Sequence, residues 1–188
     1  MKILGVSGSP REGGNTDIAV KRALELMNQQ GFETDFVSVG KMPVKPCQSC
    51  YACGKVGKCV QDDPNFEAIY KKFIEADGII VGSPVYFGSA TPQIMALLDR
   101  VGFVARQNGN LLRRKVGASI VVARRAGKTF TFAQLNFFFL IAEMIVPGSC
   151  YWNVATALNP GDINADDEGI QTIETLAENM GWLLKKSR

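Results

Sequence analysis

A short strand-like run, Lys2-Ile3-Leu4-Gly5-Val6, passes directly into the polar stretch Ser7-Gly8-Ser9-Pro10-Arg11-Glu12-Gly13-Gly14-Asn15-Thr16. From Ile18 onward Ala19, Ala23, Leu24, Leu26 and Met27 return at helical spacing. A strand apolar on both faces must be covered on both faces, the condition of a parallel sheet held between helix layers. The pattern recurs: Ile79-Ile80-Val81-Gly82 opens into Ser83-Pro84-Val85-Tyr86-Phe87-Gly88-Ser89-Ala90-Thr91-Pro92, and Val116 to Ala123 opens into Arg124-Arg125-Ala126-Gly127. Strand and helix alternate through short connections. The expectation is therefore an α/β chain with a doubly wound, five-stranded parallel sheet, right-handed crossovers, and ligands outside the carboxyl ends of the strands.

The other elements are read in the same way. Thr34 to Val39 reads as the second strand, and residues 41–61, without apolar periodicity, as a loop. A helix over 65–75 follows, capped by Asp63 or its neighbour with Pro64 near its first position, and Thr91 caps another from Pro92 to about Val101. Phe132 to Ile141 reads as a helix, Ile145 to Cys150 as a fifth strand with Cys150 a buried small hydrophobe, and Glu168 to Lys185 as a closing amphipathic helix. At 188 residues, 46% hydrophobic, one core suffices, so 1–188 is expected to be a single domain.

Composition narrows the function. A formal charge of +3, scattered along the chain, leaves no footprint for nucleic acid. The most apolar run, Phe137 to Val146, is about half the ~20 residues a membrane span needs and contains Glu143. Met1-Lys2 leads straight into a strand rather than a signal peptide, and a cytoplasmic protein is expected. There is no histidine, which removes the usual general base, the usual zinc nitrogen ligand and any Ser-His-Asp triad.

The first loop suits an anion, because the helix after it would turn its unpaired N–H groups and positive dipole end toward it, with Asn15 or Thr16 as cap. The loop ends Gly-Gly-Asn-Thr, not Gly-Lys-Ser/Thr, and its glycines break the G-x-G-x-x-G spacing, which argues against a nucleoside triphosphate and a dinucleotide. Ser7, Ser9, Thr16, the backbone and the Arg11 fork suit a terminal monophosphate. An ordinary polar turn capping a helix is the plainer alternative.

Four of the five cysteines crowd into the loop after the second strand, as Cys47-x2-Cys50-x2-Cys53-x5-Cys59. A structural zinc site usually pairs two separated knuckles, whereas three cysteines at consecutive three-residue spacing wrap a cubane more naturally; both metals remain open at this point. A disulfide array is disfavoured in a reducing compartment.

With G-S-P-R-x-x-G-N-T in the first loop and S-P-V-Y-F-G in the third-strand loop, the chain resembles the flavodoxin-like NAD(P)H-dependent FMN reductases. The compact cysteine motif makes it similar to their iron–sulfur flavoprotein branch. The resemblance implies a flavodoxin-like fold, FMN, a 4Fe-4S cluster on Cys47, Cys50, Cys53 and Cys59, a homodimer or homotetramer, and electron transfer with a ferredoxin-like donor. Carried over by residue, Ser7, Ser9, Arg11, Asn15 and Thr16 would hold the FMN phosphate, and Pro84, Val85, Tyr86, Phe87 and Gly88 would face the ring. The third loop, with Arg124 and Gly127, matches the family less closely. Arg124 would either place charge near the flavin or be a plain surface arginine. The alternative activity is an NAD(P)H-dependent FMN or quinone reductase whose cysteines hold a structural metal; a phosphate-binding domain without redox role is the third reading. Phe132, Phe137, Phe138, Phe139 and Leu140 form a band wider than one core-facing stripe needs, which is the residue-level reason to expect a homo-oligomer.

Overall fold

A computed structural model describes residues 1–187. Strands β1 (Lys2–Ser7), β2 (Glu33–Ser38), β3 (Gly78–Pro84), β4 (Val116–Ala123) and β5 (Val154–Thr156) form one parallel sheet in the order β2-β1-β3-β4-β5. Helices α1 (Asn15–Gln29) and α6 (Asp167–Lys186) cover one face, where they meet Ile3, Ile80, Ala118, Ile120 and Val122. Helices α3 (Pro64–Glu75), α4 (Pro92–Gln107) and α5 (Lys128–Ile141) cover the other, against Leu4, Val6, Ile79, Val81 and Val121. Alternate residues of each central strand thus enter opposite cores, which is why these strands read as continuous apolar runs. The strand order reverses between β1 and β3, and this fixes where a crevice opens at their carboxyl ends.

Helix starts follow local chemistry. The Asp63 carboxylate accepts the Phe66 N–H at 3.1 Å and Pro64 opens α3, as expected, while Asp166 caps α6 by accepting from Gly169 N–H at 3.1 Å. One expected cap is not made, and Thr91 stands at the cap of α4 without using its side chain there. Gly14 occupies the cap of α1, leaving Asn15 and Thr16 inside the helix, and the Thr91 hydroxyl donates instead to the Gly8 carbonyl at 2.9 Å. That bond ties the start of α4 to the first loop.

The expected fifth strand over 145–150 is also corrected. Ile145 alone bridges to Val116 before Pro147, which lacks an N–H, and Gly148 break the pairing. The chain then bulges out and rejoins the sheet at Val154–Thr156, opposite Val121–Ala123. Cys150 rides on this bulge and is exposed, not buried.

Helix α1 lies so close to the sheet that a Cβ on Gly82 would stand 2.4 Å from a Val20 methyl and 3.0 Å from the Thr16 methyl. Only glycine on β3 lets the helix N-terminus reach the β1–β3 crevice. Gly82→Ala should destabilise the fold by about 1–3 kcal/mol, the scale of core overpacking, read as a lower urea midpoint. An unchanged midpoint would mean that α1 does not press on β3.

Candidate cofactor sites

The crevice outside β1 and β3 is a cleft of about 170 Å³ lined by Ser9, Pro10, Arg11, Gly14, Asn15 and Thr16 from the first loop, Pro84, Val85 and Tyr86 after β3, Val122, Ala123 and Arg124 from β4, and Ala157, Leu158 and Pro160 after β5. The first helical bond of α1 runs from Ile18 N–H to the Gly14 carbonyl, so the amides of Asn15, Thr16 and Asp17 precede it and point back toward the loop. Both charged side chains lining the cleft are arginines, Arg11 and Arg124. Amides, helix dipole and two cations make this end of the sheet a place for an anion.

The structure divides the expected residues. Ser9, Arg11, Asn15, Thr16, Pro84, Val85, Tyr86 and Arg124 line the cleft; Ser7, Phe87, Gly88 and Gly127 do not. The Ser7 hydroxyl is buried beneath the loop and donates to the Asp17 carboxylate at 2.5 Å, whose other oxygen accepts from Gly13 N–H at 2.9 Å. Ser7 shapes the loop rather than facing a ligand. Asp17, missed in the sequence, is the partner that fixes it; an acid in the first turn of a helix was the available signal. Asn15 donates to the Asn159 carbonyl at 2.7 Å and accepts from Gly161 N–H at 2.9 Å, stapling the segment after β5 onto the cleft. Arg11 is steadied by donation to the Leu158 carbonyl at 3.0 Å. The wall of Ala157, Leu158 and Pro160 was also missed, although Asn159-Pro160-Gly161 announces a turn.

Phe87 and Gly88, at φ +49° and +83°, are the central residues of a tight turn in which Tyr86 and Ser89 exchange backbone bonds of 2.8 and 3.0 Å. Phe87 projects fully into solvent. Its left-handed conformation is strained for a bulky residue and is held from outside: Thr131 donates to the Gly88 carbonyl at 3.2 Å, and Gly127, at φ +90°, leaves room where a Cβ would stand 2.8 Å from Val85. Gly127 thus acts on the turn, not on the cleft.

A second cavity is enclosed by Cys47, Cys50, Cys53, Cys59 and neighbours of the loop against Arg100, Phe103 and Val104 of α4. Cys50 is flanked by Ser49 and Tyr51, both left-handed, and the short helix α2 (Cys53–Val56) ends at Gly57, so the loop doubles back on itself. Tyr51 packs edge-on against Phe103 at 5.1 Å, and the Asn108 side chain donates to the Cys53 carbonyl at 3.3 Å. Among the described residues no three Cys, Asp or Glu side chains converge as the ligands of a single ion do, yet all four cysteines line one cavity. A cubane puts a separate iron under each thiolate, and four cysteines are the donor set it takes; the cavity they line, about 20 Å³, must widen to hold it. Burial pushes the Cys53 thiol above its ordinary pKa, with the Cys50 and Cys47 thiolates adding like charge. Metal binding there must release protons and weakens in acid.

As a loop that follows a parallel strand, this segment is expected beside the three strand-end loops at one edge of the sheet. The structure shows it descending along α4: at 1.5 Å per residue, Arg100 to Val104 lie roughly 12–18 Å beyond Pro92, where the helix leaves that edge.

The NADPH-dependent FMN reductase family matches residues 1–159. The chain belongs to this family. Among its relatives, an iron-sulfur flavoprotein of Methanocaldococcus jannaschii is 39% identical over 198 residues, spanning 98% of each chain. An iron-sulfur flavoprotein of Methanosarcina thermophila is 39% identical over 182 residues, spanning 96% of this chain and 93% of the relative. The solved flavodoxin, WrbA-like protein of Agrobacterium tumefaciens superposes with a TM-score of 0.67 at 12% identity, over 100% of this chain and 98% of that one. The fold is flavodoxin-like, as the resemblance implied, and the family and the relatives' names support the expectation of FMN and an iron–sulfur cluster. Among the described residues no helix is long and apolar enough to cross a membrane.

For an FMN reductase family member the cleft predicts where the phosphate is held. Arg11→Ala and Ser9→Ala should each weaken FMN by roughly 1–3 kcal/mol, the scale for charged hydrogen bonds, with the fold retained. Equilibrium dialysis showing unchanged affinity in the double variant would place the phosphate elsewhere.

Proposed function

We propose that this chain is an electron-transfer flavoprotein that passes electrons between a ferredoxin-like donor, a 4Fe-4S cluster on Cys47, Cys50, Cys53 and Cys59, and FMN in the β1–β3 cleft. The observation that carries this reading is the four-thiol cavity in a chain whose sheet edge is independently built for a phosphate. When bound, the cluster supplies one-electron transfer at low potential and FMN supplies a two-electron store. The chain's own residues do the rest. Arg11, Ser9, Thr16 and the α1 amides would hold the phosphate, Val85 and Tyr86 would stand against the ring, and Arg124 at the rim would oppose negative charge gathered there. The left-handed turns around Cys50 and the packing of Tyr51 on Phe103 pre-shape the thiol cavity.

The run of α4 between the two sites makes a second copy of the chain part of this reading. On α5, Phe139 is buried and Phe132 and Phe138 half-buried, while Phe137, Leu140 and Ile141 are exposed. These lie beside an apolar groove of about 650 Å³ between α4 and α5, which reaches Tyr51 of the cysteine loop. A second copy covering that face would dry the exposed aromatics and set its own surface against the cysteine loop. Light scattering at micromolar concentration should give a homo-oligomer; a monomer contradicts this part of the proposal.

Replacing any one of Cys47, Cys50, Cys53 or Cys59 by alanine should lose or cripple the cluster and leave FMN bound, whereas Cys150→Ala, on the exposed bulge, should do neither. In the cluster-free variants reduction of the flavin by ferredoxin should slow greatly while dithionite still reduces it. Variants that accept electrons from ferredoxin at the wild-type rate would favour the reductase reading with a structural metal.

A further inference from the structure

The Arg100 side chain is 1% exposed, although it lies on a helix whose neighbouring positions Leu97, Val101 and Val104 are all core. It stacks on the Phe66 ring with the guanidinium carbon 3.8 Å from the centroid. One terminal nitrogen donates to the Asp63 carboxylate at 2.6 Å and to the Lys45 carbonyl at 3.2 Å; the other donates to Cys59 Sγ at 3.3 Å. Its Nε has no partner.

An arginine serving only a buried ion pair would turn both terminal nitrogens onto the carboxylate in a fork. Here Asp63 is met through Oδ2 alone, because its Oδ1 is used by the Phe66 N–H, and the second nitrogen is turned to sulfur. A neutral thiol is a weak acceptor, whereas a thiolate accepts a charged donor well. Lys45 precedes the first cysteine and Asp63 follows the last, so one cation spans both ends of the loop. Cys47, by contrast, accepts from the Ser49 amide at 3.4 Å, a neutral donor.

We propose that Arg100 is a positioning residue which, through its hydrogen bond to the Cys59 sulfur, holds that ligand and raises the reduction potential of the cluster. The inference rests on the iron–sulfur reading of the cysteines. A charged donor on a ligand sulfur favours the state carrying one more electron, so losing the donor moves the midpoint of this one-electron couple to more negative values. The paired carboxylate of Asp63 offsets part of that effect.

The test is an EPR-monitored redox titration with dithionite of the anaerobically purified full chain, with iron and acid-labile sulfide measured alongside and the FMN midpoint as internal reference. Arg100→Lys keeps a cation for Asp63 but has no fork to span carboxylate and sulfur; its cluster midpoint should fall while the FMN midpoint stays. Asp63→Asn leaves the guanidinium uncompensated and should move the cluster midpoint the other way. A purely structural ion pair keeps its charge in Arg100→Lys and would leave the cluster midpoint of that variant unmoved. If Arg100→Lys fails to load iron, Arg100→Gln, which has no charged donor for the sulfur, is titrated in its place: a cluster midpoint below wild type supports the role, and an unchanged or higher midpoint overturns it. An unmoved midpoint in fully loaded Arg100→Lys, or a shift shared equally by FMN, overturns the inference and leaves the iron–sulfur reading standing. Zinc without sulfide in the wild type overturns both.

Discussion

The close seating of α1 on β1 and β3 is the constraint from which the rest follows. It needs a strand position without a side chain, and Gly82 provides it, with Val20 and Thr16 pressed where a Cβ would be. Because the helix starts at the point where strand order reverses, its unpaired amides are carried into the crevice that a 2-1-3-4-5 sheet opens between its two helix layers. Ser7, Asp17, Gly13 and the Thr91 bond to Gly8 then fix the loop over those amides from below. The site is pre-organised by backbone and buried polar groups, with the exposed Arg11, steadied on the Leu158 carbonyl, and the exposed Arg124 at its rim to meet charge.

The second site is built by different means. A loop without apolar periodicity is instead forced into shape by left-handed residues on each side of Cys50, by aromatic packing on α4 and by the buried Arg100–Asp63 pair. Burying that pair is expensive unless the remaining donors are satisfied, and the bonds to the Lys45 carbonyl and the Cys59 sulfur supply most of that satisfaction.

Much of this was legible in the chain. The sheet, its parallel sense and the positions of β1, β3 and β4 follow from runs that are apolar on both faces, and the limits of β4 fall where the pattern puts them. The fifth strand was misread because periodicity carries no information on pairing: Ile145 does touch β4, but Pro147 and Gly148 end the contact. Within the cleft, residue types announced an anion, but not which hydroxyl would be used up by a neighbour; Ser7 was lost to Asp17 for that reason. The descent of the cysteine loop along α4 was out of reach, since it depends on contacts between segments forty and more residues apart. One trace of it was visible: Arg100 interrupts the apolar stripe of Leu97, Val101 and Val104, and a charge in a core position asks for a partner.

The central claim is that one chain carries both a flavin phosphate site and a four-cysteine iron–sulfur site. Metal and flavin analysis of protein purified without oxygen, with its visible spectrum, tests it most directly. The account predicts flavin absorption over a broad iron–sulfur background, FMN as the released flavin, and iron matched by acid-labile sulfide. A protein that yields FMN with zinc and no sulfide, or iron and sulfide with no flavin, would contradict it.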